Sequence, residues 1–156
     1  MHVNRQKGFT LVELVATLVI IALVAVVSGP LFFNVSVFKQ SGFFEETLAA
    51  VRYAQKHAVA TGCTVRVVTT VTGFTLYRKA GTDASVCNTP TFDQPIADPS
   101  GSGATFTRTA PDGVSLDARD FTFAADGTAS VSTSITVGVP GGPTLQVVAA
   151  TGYVGR

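Results

Sequence analysis

Apolar residues are concentrated near the start of the chain. The run from Phe9 to Phe33 is interrupted only by Thr10, Glu13, Thr17, Ser28, Gly29 and Pro30. As an α-helix, residues 9–33 would measure roughly 37 Å, which exceeds the ~30 Å hydrocarbon core of a bilayer. The pattern therefore predicts a helix that crosses a membrane.

A second helical stretch is predicted over residues 43–61, where apolar residues recur at helical spacing and Gly62 follows as a stop. Pro30 lacks an amide donor, so we expect it to kink the first helix rather than to end it. Ser41 and Gly42 form a second weak point. Together these features predict one long, bent helix.

After Gly62 the hydrophobic pattern changes to a period of two, which is typical of strands. Strands are predicted at residues 64–68, 74–78, 105–108, 114–116, 121–123, 129–139 and 145–149. A long loop is expected over residues 80–104 and a short tail over residues 153–156. One helix followed only by strands predicts an α+β fold, with the helix packed on an antiparallel sheet.

Charge separates an anchor from a polar head. The chain has 11 basic and 10 acidic residues, and from Leu31 onward the numbers are 9 and 9. This balance argues against a broad basic face for nucleic acid. We therefore divide the chain into a leader (residues 1–8), a transmembrane helix (9–33), an amphipathic second half of the helix (34–62) and a β-rich head (63–156).

Glu13 is the one charged residue of the apolar run, and residues 9–38 contain no Lys or Arg. A charged group at the centre of a bilayer costs roughly 3 kcal/mol, so it needs a partner. The partner would come from another chain or from a new amino terminus. The alternative is that Glu13 extends to the membrane interface near the helix end.

The segment before the run is short and carries Arg5 and Lys7. It predicts a cytoplasmic amino terminus and a head outside the cytoplasm. A secretory signal peptide is the competing interpretation, but Pro30 directly after residues 27–29 disfavours cleavage there. Outside the cytoplasm, Cys63 and Cys87 would form a disulfide; free thiols are the alternative.

The residues from Gly8 through Phe9 to Glu13 resemble the processing motif of type IV pilins and type II secretion pseudopilins. The resemblance implies that a prepilin peptidase cuts after Gly8 and methylates Phe9, and that Glu13 meets the amino group of a neighbouring subunit. It also implies a kink at Pro30. The implied partners are other pilins or pseudopilins, the peptidase, an inner-membrane assembly platform and, before assembly, the lipid bilayer.

The head resembles the GspH/FimT minor pseudopilins in residues 50–62, 121–128 and 145–152, and its helix–Gly–Cys junction is similar to that of the MshC minor pilins of mannose-sensitive haemagglutinin (MSHA) pili. The resemblance implies a pilin-like fold. It also implies a structural subunit of an MSHA-like type IV pilus or a type II secretion pseudopilus, anchored in the bacterial inner membrane with a periplasmic head.

The alternative function is DNA capture, because some FimT-type pilins bind DNA through a Gly-Arg-x-Arg tail. Here Tyr153 stands at the first arginine position and Arg156 is alone, which disfavours DNA binding. Basic residues elsewhere would form a local patch or a solvated face; they are Arg52, Lys56, Arg66, Arg78 and Lys79.

No residue pattern indicates an enzyme. His57 lies in a basic helical run and is expected to be a surface group that compensates the helix dipole. Two cysteines and two distant histidines lack the spacing of a metal site, and Asp93 with Asp98 is too sparse for calcium. We expect no catalytic residue, no cofactor and no metal.

Overall fold

The computed structural model describes most of the chain, namely residues 9–32, 35–79, 87, 91–92, 94–101, 104–138 and 141–156. It divides into two compact units, Met1–Val35 and Ser36–Arg156. The first contains helix α1 (Leu11–Phe32), and nearly all of helix α2 (Val35–Thr61) and every described strand lie in the second. Among the described residues, no helix combines the length and the hydropathy needed to cross a membrane.

Helix α1 begins immediately after Thr10 and runs through Pro30 to Phe32. Ala, Leu, Val and Ile make up most of it, and the leucines and alanines are good helix formers. The kink expected at Pro30 stays a prediction. The leader, residues 1–8, and the boundary at residues 33–34 lie outside the described residues.

Helix α2 begins at Val35, before residue 43 where the regular apolar spacing begins, and it continues through Ser41 and Gly42. A glycine in a helix interior costs about 1 kcal/mol. A tertiary contact offsets that cost, because the Gln40 side-chain amide donates to the carbonyl of Val137 at 2.8 Å. The helix ends as predicted at Gly62, whose φ of 67° is the left-handed conformation of a helix C-cap.

The larger sheet is antiparallel, with the order β3-β2-β1-β5 and with β4 also paired to β2. Its strands are β1 (Val65–Thr70), β2 (Gly73–Arg78), β3 (Gln94–Pro95), β4 (Thr107–Thr109) and β5 (Arg119–Phe123). The predicted hairpin of β1 and β2 is confirmed, with Thr70 opposite Gly73. The short β3 lies in the segment that we predicted to be a loop.

A second antiparallel sheet of three strands has the order β6-β7-β8. Its strands are β6 (Thr133–Thr136), β7 (Thr144–Val147) and β8 (Val154–Gly155). Two predictions are wrong here. Residues 114–116 form no strand and contribute only a bridge from Leu116 to Val137, and the expected tail contains β8, which pairs with β7.

One hydrophobic core holds the second unit together. One face of α2 packs into it, and the inward-facing residues of both sheets complete it. Aromatic rings connect the layers: Phe43 lies 6.0 Å from Phe74, and Phe74 lies 6.0 Å from Phe106, ring centroid to centroid. The predicted α+β arrangement, with a helix packed on an antiparallel sheet, is confirmed in this unit.

Candidate assembly site

The start of α1 is capped by Thr10. Its hydroxyl oxygen accepts the backbone N–H of Glu13 at 3.2 Å, and its carbonyl accepts the N–H of Leu14 at 3.1 Å. These bonds satisfy amide donors that a helix start leaves open. Glu13 consequently lies in the first turn, where the positive end of the helix dipole favours a negative charge.

Glu13 is exposed, and none of the ion pairs found among the described residues involves it. Phe9, two residues before α1, is 80% exposed. The structure therefore presents the carboxylate and the aromatic residue together at the beginning of an apolar helix. Gly8, the predicted cleavage residue, lies outside the described residues.

Helix α1 is apolar on every side, and its side chains from Leu11 to Ala25 are exposed. The hydroxyl of Thr17 donates to the carbonyl of Leu14 at 2.9 Å, so this polar group is satisfied within the helix. A helix that is apolar all round needs an apolar environment on all sides. Exposed apolar surface of this extent is unfavourable in water.

A disulfide joins Cys63 to Cys87, with Cα atoms 5.5 Å apart. Cys63 lies between the end of α2 and the start of β1, and Cys87 belongs to the segment that connects β2 to β3. The predicted pairing is confirmed, and it ties that connection to the end of the helix.

Three positions from the sequence resemblance meet at one junction in the second unit. The Gln55 side-chain amide donates to the carbonyl of Gly127 at 3.0 Å. Gly127 and Gly152 both have positive φ, and a Cβ on Gly152 would overlap the carbonyl oxygen of Gly127. The two glycines allow the turn before β6 and the turn before β8 to approach α2 closely.

The last strand is also attached to α2 by cationic side chains. The Arg52 Nε donates to the carbonyl of Val154 at 3.2 Å. Arg156 forms an ion pair with Glu45, and its guanidinium lies 5.2 Å from the centre of the Phe44 ring. Both contacts hold residues 154–156, which we predicted to be part of a tail, against α2.

An arginine on the larger sheet is also paired with an acidic residue. Arg66 makes a two-point contact with Asp120, in which Nε donates to Oδ1 at 2.8 Å. The hydrogen bond from Arg66 lowers the pKa of the Asp120 carboxyl. Arg66, which we considered for a basic patch, is therefore locally neutralised.

The sequence did not predict the charged contact that Arg108 makes in the second unit. Arg108 of β4 donates to Glu46 of α2 and to Asp98, each at 2.6 Å. The Asp98 side chain is only 6% exposed, and bonds from the Ser100 N–H and from Arg108 lower its pKa. Only the folded chain brings these residues together, so no local sequence signal could have identified them.

His57 differs from its expected role as a charged surface group. It is half-buried, and its Nδ1 is buried without a hydrogen-bond partner among the described residues. Burial lowers the pKa of His57, and the nearby charge of Arg78 lowers it further. A lowered pKa makes His57 a weaker compensator of the dipole of α2. In the part of the chain that the structure describes, no group of three His, Cys, Asp or Glu residues is placed to hold a metal ion.

Comparison with known families gives two matches. The prokaryotic N-terminal methylation motif matches residues 3–29. The type II transport protein GspH family matches residues 44–152, which is more than half of the chain. No curated protein and no solved structure matches the chain.

Proposed function

Since the chain belongs to the family of the type II transport protein GspH, we propose that it is a structural minor pilin or pseudopilin. The observation that carries the proposal is α1, an exposed apolar helix that presents Glu13 in its capped first turn. The N-terminal methylation motif over the same helix supports a subunit processed by prepilin peptidase.

In the proposed mechanism, cleavage after Gly8 gives Phe9 a free ammonium group, and methylation keeps its charge. Glu13 lies four residues further on, roughly 6 Å along a helix. In an apolar bundle the attraction between this carboxylate and the ammonium of a neighbouring subunit is strong, whereas an unpaired carboxylate is costly. The pair would thus favour one axial offset between neighbouring helices.

Before assembly, α1 would lie in the bacterial inner membrane with its amino terminus in the cytoplasm and the second unit in the periplasm. The Cys63–Cys87 disulfide supports this location, because such bonds persist in oxidising compartments. An inner-membrane platform would then transfer the subunit into a filament. We propose either an MSHA-like type IV pilus or a type II secretion pseudopilus as that filament.

Variants of the full chain in its host test the proposal. Gly8→Leu is expected to leave an uncut precursor in the membrane, since it replaces the glycine at the cut in the processing motif. Glu13→Gln keeps the shape of the side chain and is expected to be cut normally but to be depleted from the filament fraction. Immunoblots of the membrane and sheared-filament fractions report both results.

Thr17→Val is the matched control, because it lies in the same helix and its hydroxyl bonds only within it. It is expected to behave as the unmodified chain in both fractions. Normal maturation of Gly8→Leu would refute processing at this site. Full incorporation of Glu13→Gln would refute the assembly role of the carboxylate.

A further inference from the structure

A tyrosine ring lies on the outer face of the smaller sheet. Val154 of β8 points into the core, so Tyr153 and Gly155 lie on the opposite face. A Cβ on Gly155 would lie 2.5 Å from Cε1 of Tyr153 and 2.6 Å from its Cζ, and it would also overlap the hydroxyl oxygen. Because the three atoms are nearly equidistant from that point, one face of the phenol group rests on the glycine backbone. Tyr153 is 61% exposed, so the other face of its ring is open to solvent.

Strand register places further side chains beside the ring. Gly155 pairs with Gln146 of β7, and Gln146 pairs with Ser134 of β6. Paired residues point to the same face of a sheet, so these positions form a row across the three strands. Val148 extends the row, because it is 40% exposed on the same face and its N–H donates to the carbonyl of Tyr153 at 2.9 Å. The row therefore combines an apolar end with a polar end.

Arg119 of β5 closes the polar end of the row. Its Nε donates to the carbonyl of Ser134 and its Nη1 to the carbonyl of Ala118, each at 3.0 Å. Its Nη2 lies 3.6 Å from a carboxylate oxygen of Asp117. The plane of the guanidinium is thus held in place, and an acidic neighbour balances its charge.

A shallow cavity of about 500 Å³ lies over this surface, in the size range of small-molecule sites. Ser134, Gln146, Val148 and Arg119 are among its lining residues, and Val148 connects it to the ring. The side-chain amide of Gln146 makes no hydrogen bond with a residue that the structure describes. We call this surface the tyrosine face; it consists of Arg119, Ser134, Gln146, Val148 and Tyr153.

The chemistry of the tyrosine face suits a sugar. A pyranose has C–H groups on its two faces and hydroxyl groups around its edge. The C–H groups pack on an aromatic face, whereas amide, hydroxyl and guanidinium groups exchange hydrogen bonds with the hydroxyl groups. Since Asp117 balances Arg119, the surface offers no excess positive charge to a phosphate, which favours an uncharged ligand over a nucleic acid.

We propose that the tyrosine face binds an uncharged saccharide, with one pyranose stacked on Tyr153 and its hydroxyl groups bonded to Gln146, Ser134 and Arg119. Units of β-linked glucose or N-acetylglucosamine fit best, because their ring substituents are equatorial and leave both faces flat. Such units occur in amino-sugar glycans, including those of cell walls, and in plain glucans. The inference goes beyond the proposed function and does not depend on it, because α1 takes no part in the site.

Saturation-transfer difference NMR on the purified full chain, in a detergent that contains no sugar, tests the site. The two probes are chitotetraose, which represents amino-sugar glycans, and cellotetraose, which represents plain glucans. We expect saturation to pass from the protein to the C–H protons of the sugar rings. Transfer to both probes would assign binding to the pyranose itself, and transfer to chitotetraose alone would show that the N-acetyl group contributes. Transfer to neither probe would overturn the proposal.

Variants locate the binding on the tyrosine face. Tyr153→Phe keeps the stacked ring and should bind as the unmodified chain does. Tyr153→Ala should weaken binding about tenfold, since it removes the stacking contact. Gln146→Ala changes an exposed side chain and should also weaken binding. Phe38→Ala is the matched control, because Phe38 is an aromatic residue that is 81% exposed on α2, away from this sheet, and binding should be unchanged.

Equal binding by Tyr153→Ala and the unmodified chain would overturn the proposal, provided that their thermal midpoints agree. If Tyr153→Ala fails to fold, the same conclusion follows from unchanged binding by Gln146→Ala. Displacement of the sugar by a thymidine octanucleotide at low salt would assign the face to nucleic acid and also overturn the proposal. Cleavage after Gly8 and entry into the filament are measured separately, so failure of sugar binding leaves the proposed function standing, and the reverse also holds.

Discussion

Gly152 is the position at which one added methyl group should most disturb the second unit. Its φ is 63°, and its N–H donates to the carbonyl of Val148 at 2.7 Å. A Cβ at this position would overlap the carbonyl oxygen of Gly127 and lie 2.5 Å from the Gln55 Nε2. Gly152→Ala therefore adds backbone strain. It also adds a steric overlap with the two groups whose hydrogen bond holds α2 against the turn before β6, the Gln55 amide and the Gly127 carbonyl.

Substitution of Gly62 separates the cost of backbone strain from the cost of steric overlap. Its φ is 67°, close to that of Gly152, but a Cβ there would meet no atom within 4 Å. For Gly62→Ala, the left-handed conformation costs roughly 1–2 kcal/mol. The loss of freedom in the unfolded chain offsets about 0.4–1 kcal/mol of that cost. The expected net destabilisation is therefore roughly 1 kcal/mol.

Gly152→Ala carries the same backbone cost and two further ones. Overpacking costs about 1–3 kcal/mol, and loss of the hydrogen bond from Gln55 to Gly127 costs about 1 kcal/mol. We therefore expect Gly152→Ala to exceed Gly62→Ala by roughly 2–4 kcal/mol.

Urea denaturation of residues 36–156, the unit that contains the whole described core, measures the difference. With a typical slope of about 2 kcal/mol per molar, the midpoint of Gly152→Ala should lie roughly 1–2 M below that of Gly62→Ala. Gln55→Ala gives the contribution of the hydrogen bond alone. Equal midpoints for the two alanine variants would refute the close approach of the two turns.

Four other predictions follow from the same unit. Reduction of the Cys63–Cys87 disulfide, which spans 24 residues in sequence, should lower the free energy of unfolding by about 3 kcal/mol. A Cys63→Ser, Cys87→Ser variant should be insensitive to reductant, and unchanged urea midpoints on reduction of the native protein would contradict the estimate. Because the pKa of His57 is lowered in the folded state, the unfolded state binds more protons, so stability should fall as the pH drops below about 6.5. His57→Gln should flatten that profile, and an unchanged profile would assign the pH dependence to other groups. Arg108→Ala should destabilise the unit more than Arg66→Ala, because it leaves the buried Asp98 carboxylate without its cation, whereas the Arg66–Asp120 pair is exposed; equal thermal midpoints would contradict this. Since Arg66, Arg108, Arg119 and Arg156 each have an acidic partner, the unit should not shift DNA at low salt; a salt-sensitive shift would favour DNA capture.

Local pattern predicted the helices and the first hairpin well, because each depends on near neighbours in sequence. Hydrophobic spacing located the helical part that packs on the core, and Gly62 marked its end. The helix stays intact through Gly42, the expected weak point, and a contact from Gln40 to Val137, 97 residues apart, supports it there. Local propensity carries no information about such a contact.

The sequence predicted the positions of strands better than it predicted which strands pair. A period of two identifies a strand but does not specify its neighbour, so one sheet was expected where the structure has two. Strand β8 has only two residues, and it becomes a strand because Val154 pairs with Val147. Its sequence alone, after a glycine turn, is typical of a tail.

The contacts described for the candidate site also fall into those that a local motif predicts and those that only the folded chain brings together. Thr10 and Glu13 are three residues apart, so a sequence motif could place them on one helical turn, and the cap bond agrees. The cluster of Glu46, Asp98 and Arg108 depends on distant segments and was invisible to sequence reasoning.

The contrast between the two units indicates where partners are needed. In the second unit, most large apolar side chains contribute to one core, and most described arginines have acidic partners. In α1, the apolar side chains from Leu11 to Val24 remain at least half exposed, and Glu13 forms no ion pair with a described residue. Exposed apolar surface of that extent is unfavourable in water. The second unit thus supplies its own core, whereas α1 leaves its apolar side chains exposed and contributes none of them to that core.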